Sequence, residues 1–203
     1  VHGPLKKRMP PLMRGLMEKI LNLRGLENLY CQICSQPDSR PFAEKLLGCL
    51  GISFCTSRED LKRIPAKGPV IVVANHPFGA VEGLVLYTVL RTARPDVKIL
   101  ANSFLESIAE LRDLFICVDA FGGMDATHYN FRPMRHAIEW LRDGGTLVIF
   151  PAGEVSHVRL NPIAITDPVW KDTAARLACK LEVPVVPVYF SGNNGLTFQL
   201  LGS

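Results

Sequence analysis

Hydrophobic positions along the chain follow two alternating patterns, each typical of a different element. Short runs rich in Val, Ile and Leu, bounded by Gly or Pro, are typical of strands buried on both faces of a sheet. Such runs predict strands at 70–74, 96–102, 115–121 and 183–192, and a strand that runs into a turn over 146–154. Apolar residues spaced by three and four predict helices at 10–26, 40–52, 82–93, 103–114, 134–145 and 168–182. Strand and helix alternate at least four times, which favours an α/β fold with a mostly parallel central sheet flanked by helices.

The first predicted helix is amphipathic and basic. A helix over 10–26 would gather its apolar residues on one side, and residues 1–24 carry six Lys and Arg against Glu18 alone. Such a helix could lie on an anionic membrane surface, or it could pack on its own domain with a solvated basic face. We therefore expect a basic amphipathic helical segment over 1–39 and one main domain over 40–203.

Composition limits where the protein works and what it binds. The 203 residues are 48% hydrophobic with a net charge of +4, which suits one substantial core. No apolar stretch reaches the roughly 18 residues of a spanning helix, and no secretory signal is visible. The basic residues lack interleaved aromatic residues, so nucleic acid is not expected as a partner. These observations predict a cytosolic or membrane-surface protein, and the localisation we expect is peripheral (monotopic), on the cytoplasmic face of the membrane.

Cysteine spacing gives a weak metal signal. Cys31 and Cys34 form a CQIC pair, which would be a zinc candidate only beside a second close pair of Cys or His. Cys49 and Cys55 are the nearest possibility, but their spacing is wrong. Free thiols in a reduced compartment are favoured, and no metal is predicted. A zinc assay would test the alternative.

Two predicted strands end in the same manner. The stretches VIVVANHPFG (70–79) and TLVIFPAGEVS (146–156) both leave an apolar strand through Pro and Gly with polar residues exposed. A structural turn needs the glycine, yet it has no need for His76, Glu154 or Ser156. Because reactive groups of open α/β sheets gather at the carboxyl ends of strands, these two turns are candidate parts of one site.

His76 and Glu82 are a candidate general-base pair. Six residues apart on one continuous helix, they would lie on different faces, but the turn over 77–79 breaks that helix. Glu82, one turn into the next helix, can then fold back towards His76. A carboxylate that orients a histidine fixes its tautomer and stabilises the imidazolium. The alternative is a histidine that only caps a strand end.

Three blocks, NHPFGAVEG, VIFPAGEVS and VPVVPVYFSG, resemble in order and separation those of the glycerolipid (lysophospholipid) acyltransferases. The resemblance covers about 40–195 and is greatest to the bacterial branch often labelled haemolysin-like. It implies that 40–203 is an acyltransferase domain, that a C-terminal helical part of many relatives lies outside the chain, and that the protein serves lipid biosynthesis. The implied reaction moves a fatty acyl group from acyl-CoA or acyl carrier protein to the hydroxyl of a lyso-lipid, with no other cofactor.

The resemblance also implies roles for individual residues. His76 would be the general base, oriented by Glu82, and no acyl-enzyme would form because no G-x-S-x-G elbow occurs. Backbone N–H groups around Gly79 or Gly153 would stabilise the oxyanion. The residues expected to bind substrate are Asn75, Phe78, Gly79, Phe150, Pro151, Gly153, Glu154 and Ser156.

Two departures from the family pattern bear on the acceptor. Ala120 and Val155 stand where relatives that accept phosphate-bearing substrates commonly carry arginine. Glu154 would suit an acceptor with an amine, such as a lyso-amino-acid lipid. Arginine could still be supplied from elsewhere, and the candidates are Arg132, Arg135 and Arg159.

Two other functions remain open. A thioesterase-like hydrolase could use the same pair on water, and product analysis with and without acceptor separates it from a transferase. A membrane-binding or lytic protein would keep its lytic activity in a His76→Ala variant. Amphipathic strands or spanning helices, which a pore former needs, are not evident in the sequence.

Overall fold

The computed structural model describes most of the chain. The described residues are 23–35, 37–103, 105, 108–118, 126–160 and 163–195. The chain divides into two compact units, Val1–Ser53 and Phe54–Ser203. Most of the predicted basic helix over 10–26 lies outside the described residues.

The first unit contains two helices, α1 (Leu23–Cys34) and α2 (Phe42–Cys49). α2 falls within the predicted helix over 40–52. Tyr30 of α1 packs against Phe42 of α2 with ring centroids 5.9 Å apart. This aromatic contact ties the two helices together across the loop between them.

The second unit is built on a five-stranded sheet in which every neighbouring pair is parallel. Its strands are β1 (Val70–Ala74), β2 (Val97–Asn102), β3 (Phe115–Val118), β4 (Thr146–Ile149) and β7 (Val185–Val188). Their order across the sheet is β3-β2-β4-β1-β7. Val72 of β1 lies opposite Val148 of β4 and Val186 of β7. The predicted α/β fold with a parallel central sheet flanked by helices is confirmed.

Helices and a short hairpin complete the second unit. They are α3 (Arg58–Leu61), α4 (Ala80–Leu90), a 3₁₀ helix (Ala109–Leu114), α5 (Ala126–Arg142), the antiparallel pair β5 (His157–Leu160) and β6 (Ile163–Thr166), and α6 (Thr173–Leu181). Among the residues described, no helix combines the length and the apolar character needed to cross a membrane.

Two predicted elements differ from those observed because of local packing. An α-helix was predicted over 103–114, but the segment Ala109–Leu114 is a 3₁₀ helix. Leu111 and Leu114 are both buried, and a 3₁₀ helix aligns residues three apart on one side. α5 begins well before the predicted 134, and it carries Pro133 inside it, a residue that sequence rules treat as a helix break.

The segment 146–154, predicted as a strand that runs into a turn, forms β4 up to Ile149 and then turns at Pro151. Proline has no N–H to donate to a neighbouring strand, which favours the end of the strand before Pro151. The hairpin of β5 and β6 follows and was not predicted, since two strands of four residues each leave little periodic signal. The last predicted strand is likewise shortened, to Val185–Val188.

A buried arginine anchors the amino-terminal edge of the sheet. Arg94 is 2% exposed and donates hydrogen bonds to the carbonyl oxygens of Pro65, Gly68 and Gly144. It also pairs with Asp96. The anchor joins the loops that lead into β1 and β4, and the opposite, carboxyl edge of these strands is left for the site.

Candidate active site

The loop after β1 is held by the residues that follow β7, an edge strand of the sheet. The Asn75 side chain donates to the Phe190 carbonyl at 2.9 Å and accepts from the Phe190 N–H at 2.7 Å. Gly79, with φ of 85°, ends the loop as the residue before α4. This left-handed conformation lets the chain turn directly from strand to helix, so the loop has little freedom.

Glu82 lies in the first turn of α4, fully buried, and folds back towards the loop as predicted. Its Oε1 accepts a hydrogen bond from the Phe78 N–H and lies 3.7 Å from His76 Nδ1. That distance is longer than a hydrogen bond. His76 Nδ1 and Glu82 Oε2 are both buried without a hydrogen-bond partner in the described part of the chain.

Burial favours the neutral forms of both groups. It raises the pKa of Glu82 to about 7, against the lowering effect of the N–H bond from Phe78. It also lowers the pKa of His76, against the opposing charge of Asp167. His76 is therefore neutral at pH 7, the form in which an imidazole accepts a proton.

Parallel pairing brings the second predicted turn to the same place. β1 and β4 are neighbours, so Phe150, which follows β4, stacks on the His76 ring with centroids 4.4 Å apart. The Ser156 N–H donates to the His76 carbonyl at 2.9 Å. The two turns are thus one structural assembly around the histidine.

Asp167 is a member of this assembly that sequence reasoning missed. Its Oδ1 accepts a hydrogen bond from the backbone N–H of His76 at 3.1 Å and another from the Ser156 hydroxyl at 2.5 Å. Its Oδ2 accepts from Trp170 Nε1 at 2.8 Å. Asp167 directly follows β6, so prediction of the hairpin would have been the signal that places it beside the two turns.

A cavity of about 840 Å³ opens over the carboxyl edge of the sheet. Its walls are mainly apolar and include Leu100, Met134 and Leu177. Of the predicted site residues, those that line it are His76, Gly79, Phe150, Pro151, Gly153 and Glu154. A chamber with one imidazole and long apolar walls can bind an acyl chain beside a general base.

The other predicted site residues take supporting positions. Glu82 lies behind His76, and Asn75 holds the end of the outer strand. Phe78 packs on the Gly192 backbone, where an added Cβ would lie 3.0 Å from its ring.

One backbone N–H near the expected oxyanion already has a partner. The Gly153 N–H donates to the Phe150 carbonyl at 3.0 Å. This contact concerns Gly153 alone, and the expectation that backbone N–H groups around Gly79 or Gly153 stabilise the oxyanion stays a prediction.

Positive charge at the cavity comes from residues that the sequence analysis did not identify as candidates. Lys171, Arg176 and Lys180 line it together with Glu154. The three arginines named as candidates are not among the lining residues that the structure describes. Of these, Arg132 is exposed, Arg135 pairs with Glu139, and Arg159 lies in the hairpin. Ala120 lies outside the described residues.

The cysteine pair shows no metal geometry. Cys31 and Cys34 are exposed and are not joined in a disulfide. Within the described ranges, no three His, Cys, Asp or Glu side chains are grouped as metal ligands would be.

Comparisons with known proteins agree with the character of the cavity. A family model described as acyltransferase matches residues 22–202. A lyso-glycine lipid O-acyltransferase of Bacteroides thetaiotaomicron is 30% identical over 183 residues, covering 85% of this chain and 65% of that protein. A lyso-glycine lipid O-acyltransferase of Phocaeicola vulgatus is 28% identical over 144 residues, covering 70% of this chain and 49% of that protein. The chain spans about half to two thirds of these curated relatives.

Proposed function

The chain belongs to the acyltransferase family, and we propose that it transfers a fatty acyl group from a thioester donor to the hydroxyl of a lyso-lipid. The donor is acyl-CoA or acyl carrier protein. The observation that carries the proposal is the position of His76, whose ring lines an apolar cavity while its Nδ1 faces the buried Glu82.

In this reaction His76 acts as the general base. Because Nδ1 faces Glu82, Nε2 is the nitrogen available to the acceptor. Nε2 takes the hydroxyl proton as the hydroxyl oxygen bonds to the thioester carbonyl carbon. The tetrahedral intermediate then breaks its C–S bond, and the imidazolium returns the proton to the departing sulfur. The acyl group passes directly from sulfur to oxygen, without an acyl-enzyme.

Glu82 stabilises the charge that forms on His76. The ionised carboxylate lies 3.7 Å from Nδ1 and favours the imidazolium once the proton has moved. Stacking on Phe150 limits rotation of the ring and keeps Nε2 directed at the cavity. The pair is a base that is neutral before the reaction and stabilised when charged.

The acceptor we propose is a lyso-lipid with an amino-acid headgroup. Two relatives are named lyso-glycine lipid O-acyltransferases. In this chain Val155 stands where the family resemblance leads us to expect an arginine for a phosphate-bearing acceptor, and the neighbouring Glu154 lines the cavity. A carboxylate there suits the side-chain amine of a headgroup such as ornithine and repels a phosphate.

We also propose that the protein works on the surface of a bilayer, on its cytoplasmic side, where both candidate donors are found. Val169 is 85% exposed and Trp170 46% exposed, and both lie in the segment just before the cavity-lining Lys171. Exposed apolar residues beside a lipid-binding cavity favour contact with acyl chains, and Trp is typical of membrane interfaces.

Lipid mass spectrometry after incubation with decanoyl-CoA or decanoyl acyl carrier protein and a panel of lyso-lipids tests the reaction. We expect an acylated lipid product that requires His76. The matched control is His136→Ala, which removes an exposed imidazole from α5 and should leave the product unchanged. Decanoic acid release without acylated lipid would support a thioesterase, and wild-type transfer by His76→Ala would exclude the mechanism.

A second arm tests the acceptor. Lyso-ornithine lipid and lysophosphatidic acid are assayed side by side with one donor, and again with Glu154→Gln. We expect wild type to prefer the ornithine lipid and the variant to lose much of that preference. A clear preference of wild type for lysophosphatidic acid would contradict the assignment.

A further inference from the structure

Three cations on one side of the cavity form what we call the cationic rim: Lys171, Arg176 and Lys180. Lys171 precedes α6, and the other two are four residues apart on that helix, so they share one of its faces. The apolar residue Leu177 lies between them and lines the same cavity. The rim therefore borders an apolar wall, an arrangement that matches an amphiphile with a charged end.

The charges of the rim are poorly compensated by the residues that the structure describes. In the part of the chain that the structure describes, no carboxylate lies within 4.0 Å of Lys171 or Lys180 Nζ. Arg176 pairs with Asp172 at 3.3 Å, but both side chains are more than 70% exposed, where such a pair contributes little. Glu154 is the single carboxylate among the described lining residues. The cavity edge is thus electropositive.

Gly153 allows Lys171 to approach the turn that follows β4. A Cβ built on Gly153 would lie 3.1 Å from Lys171 Nζ, so any side chain at this position would crowd the ammonium group. Gly153 also has φ of 72°, which a glycine adopts without strain. The Lys171 N–H donates to the Pro151 carbonyl at 2.9 Å and fixes the backbone from which the side chain extends. The ammonium group therefore lies against the same turn that carries Glu154.

We infer that the cationic rim binds an anionic group of a substrate whose acyl chain lies in the cavity. This inference rests on the proposed acyl transfer and names how its substrate is held. Two substrates carry such a group: the donor, through the phosphate of its phosphopantetheine arm, and the acceptor, through the carboxylate of an amino-acid headgroup. Lysine binds either anion as a mobile point charge, so the arginines missing from the family positions are not needed.

Equilibrium binding measured by titration calorimetry, with two pairs of probes, separates the two sources. The donor pair is S-decanoyl-4′-phosphopantetheine and S-decanoyl-pantetheine, which differ by the phosphate. The acceptor pair is N-decanoylglycine and its amide, which differ by the carboxylate charge. Each is titrated into the full chain and into the double variant Lys171→Ala/Lys180→Ala, at 50 mM and 500 mM salt. Lys67→Ala, which removes an exposed lysine that does not line the cavity, is the control.

The charged member of at least one pair is expected to bind wild type more tightly than its neutral partner. The double variant should lose roughly 3- to 10-fold in affinity for that charged probe, as should wild type at high salt. Preference within the thioester pair assigns the rim to the donor, and preference within the glycine pair assigns it to the acceptor. Equal affinity for charged and neutral members of both pairs, or an equal loss in Lys67→Ala, would overturn the inference.

Binding of the neutral probes separates this inference from the proposed function. If the charged and neutral decanoyl probes bind equally well, the cavity still binds an acyl chain, and only the role of the cationic rim is rejected. Charge-dependent binding in a protein that transfers no acyl group would instead retain the rim and reject the reaction.

Discussion

Replacing Glu82 by Gln is expected to change both the rate of acyl transfer and its dependence on pH. The proposed mechanism requires a neutral His76 and an ionised Glu82. Burial raises the pKa of Glu82 to about 7 and lowers the pKa of His76 below its ordinary 6.5. As the pH falls from 8, Glu82 gains its proton first, while His76 is still neutral. Wild-type kcat/KM should therefore fall as the pH passes through about 7.

The loss of rate follows from the distance between the two groups. Unit charges 3.7 Å apart interact by about 4 kcal/mol at an effective dielectric constant of about 20. The imidazolium forms only partly in the transition state, and a Gln amide can still orient the ring. We expect roughly half of that energy, about 2 kcal/mol, to be lost, which lowers kcat/KM about 30-fold at pH 8. The remaining activity should fall only at the lower pKa of His76.

The assay measures kcat/KM for one donor and one acceptor between pH 5.5 and 8.5 at constant ionic strength, with circular dichroism as the check on folding. The matched control is Glu139→Gln, which neutralises an exposed carboxylate on α5 and should keep the wild-type profile. Because the two groups are coupled, the midpoints belong to the pair. The reasoning would be refuted by a Glu82→Gln variant whose rate and acid midpoint match those of wild type.

Four further outcomes are expected. His76→Ala should lower kcat about 10²- to 10⁴-fold with little change in thermal unfolding, and near-wild-type turnover would contradict its role. Glu82→Gln should raise the unfolding temperature at pH 8 and raise it less at pH 5, because the raised pKa of Glu82 means that folding disfavours the ionised carboxylate. The same difference in unfolding temperature between variant and wild type at both pH values would count against this. Gly79→Ala, at φ of 85°, should cost about 1–2 kcal/mol in denaturant unfolding, and an unchanged midpoint would show that the turn relaxes. Deleting residues 1–24 should weaken sedimentation with anionic vesicles while sparing catalysis on detergent-dispersed substrate. Vesicle binding that is unchanged by the deletion and by added salt would indicate that this segment has a structural role instead.

Local pattern was sufficient for the architecture and for the central pair of the site. Runs of β-branched residues in alternation with helical spacing predict a parallel sheet, because both faces of such strands must be covered by helices. The return of Glu82 towards His76 was predictable as well, since the turn at 77–79 and one turn of helix lie within seven residues of chain. Glu82 and the loop are neighbours in sequence, so local backbone geometry is sufficient to bring them together.

Tertiary structure decided what surrounds that pair. Asp167 reaches His76 from 91 residues away, after a hairpin whose strands are too short to leave a periodic signal. Lys171 borders the cavity from the segment before α6, and its ammonium group lies close to the turn at Gly153. Periodicity reports which face of an element is buried but not which distant element covers it. The partners of the histidine and the charge of the cavity edge therefore follow from packing between segments remote in sequence.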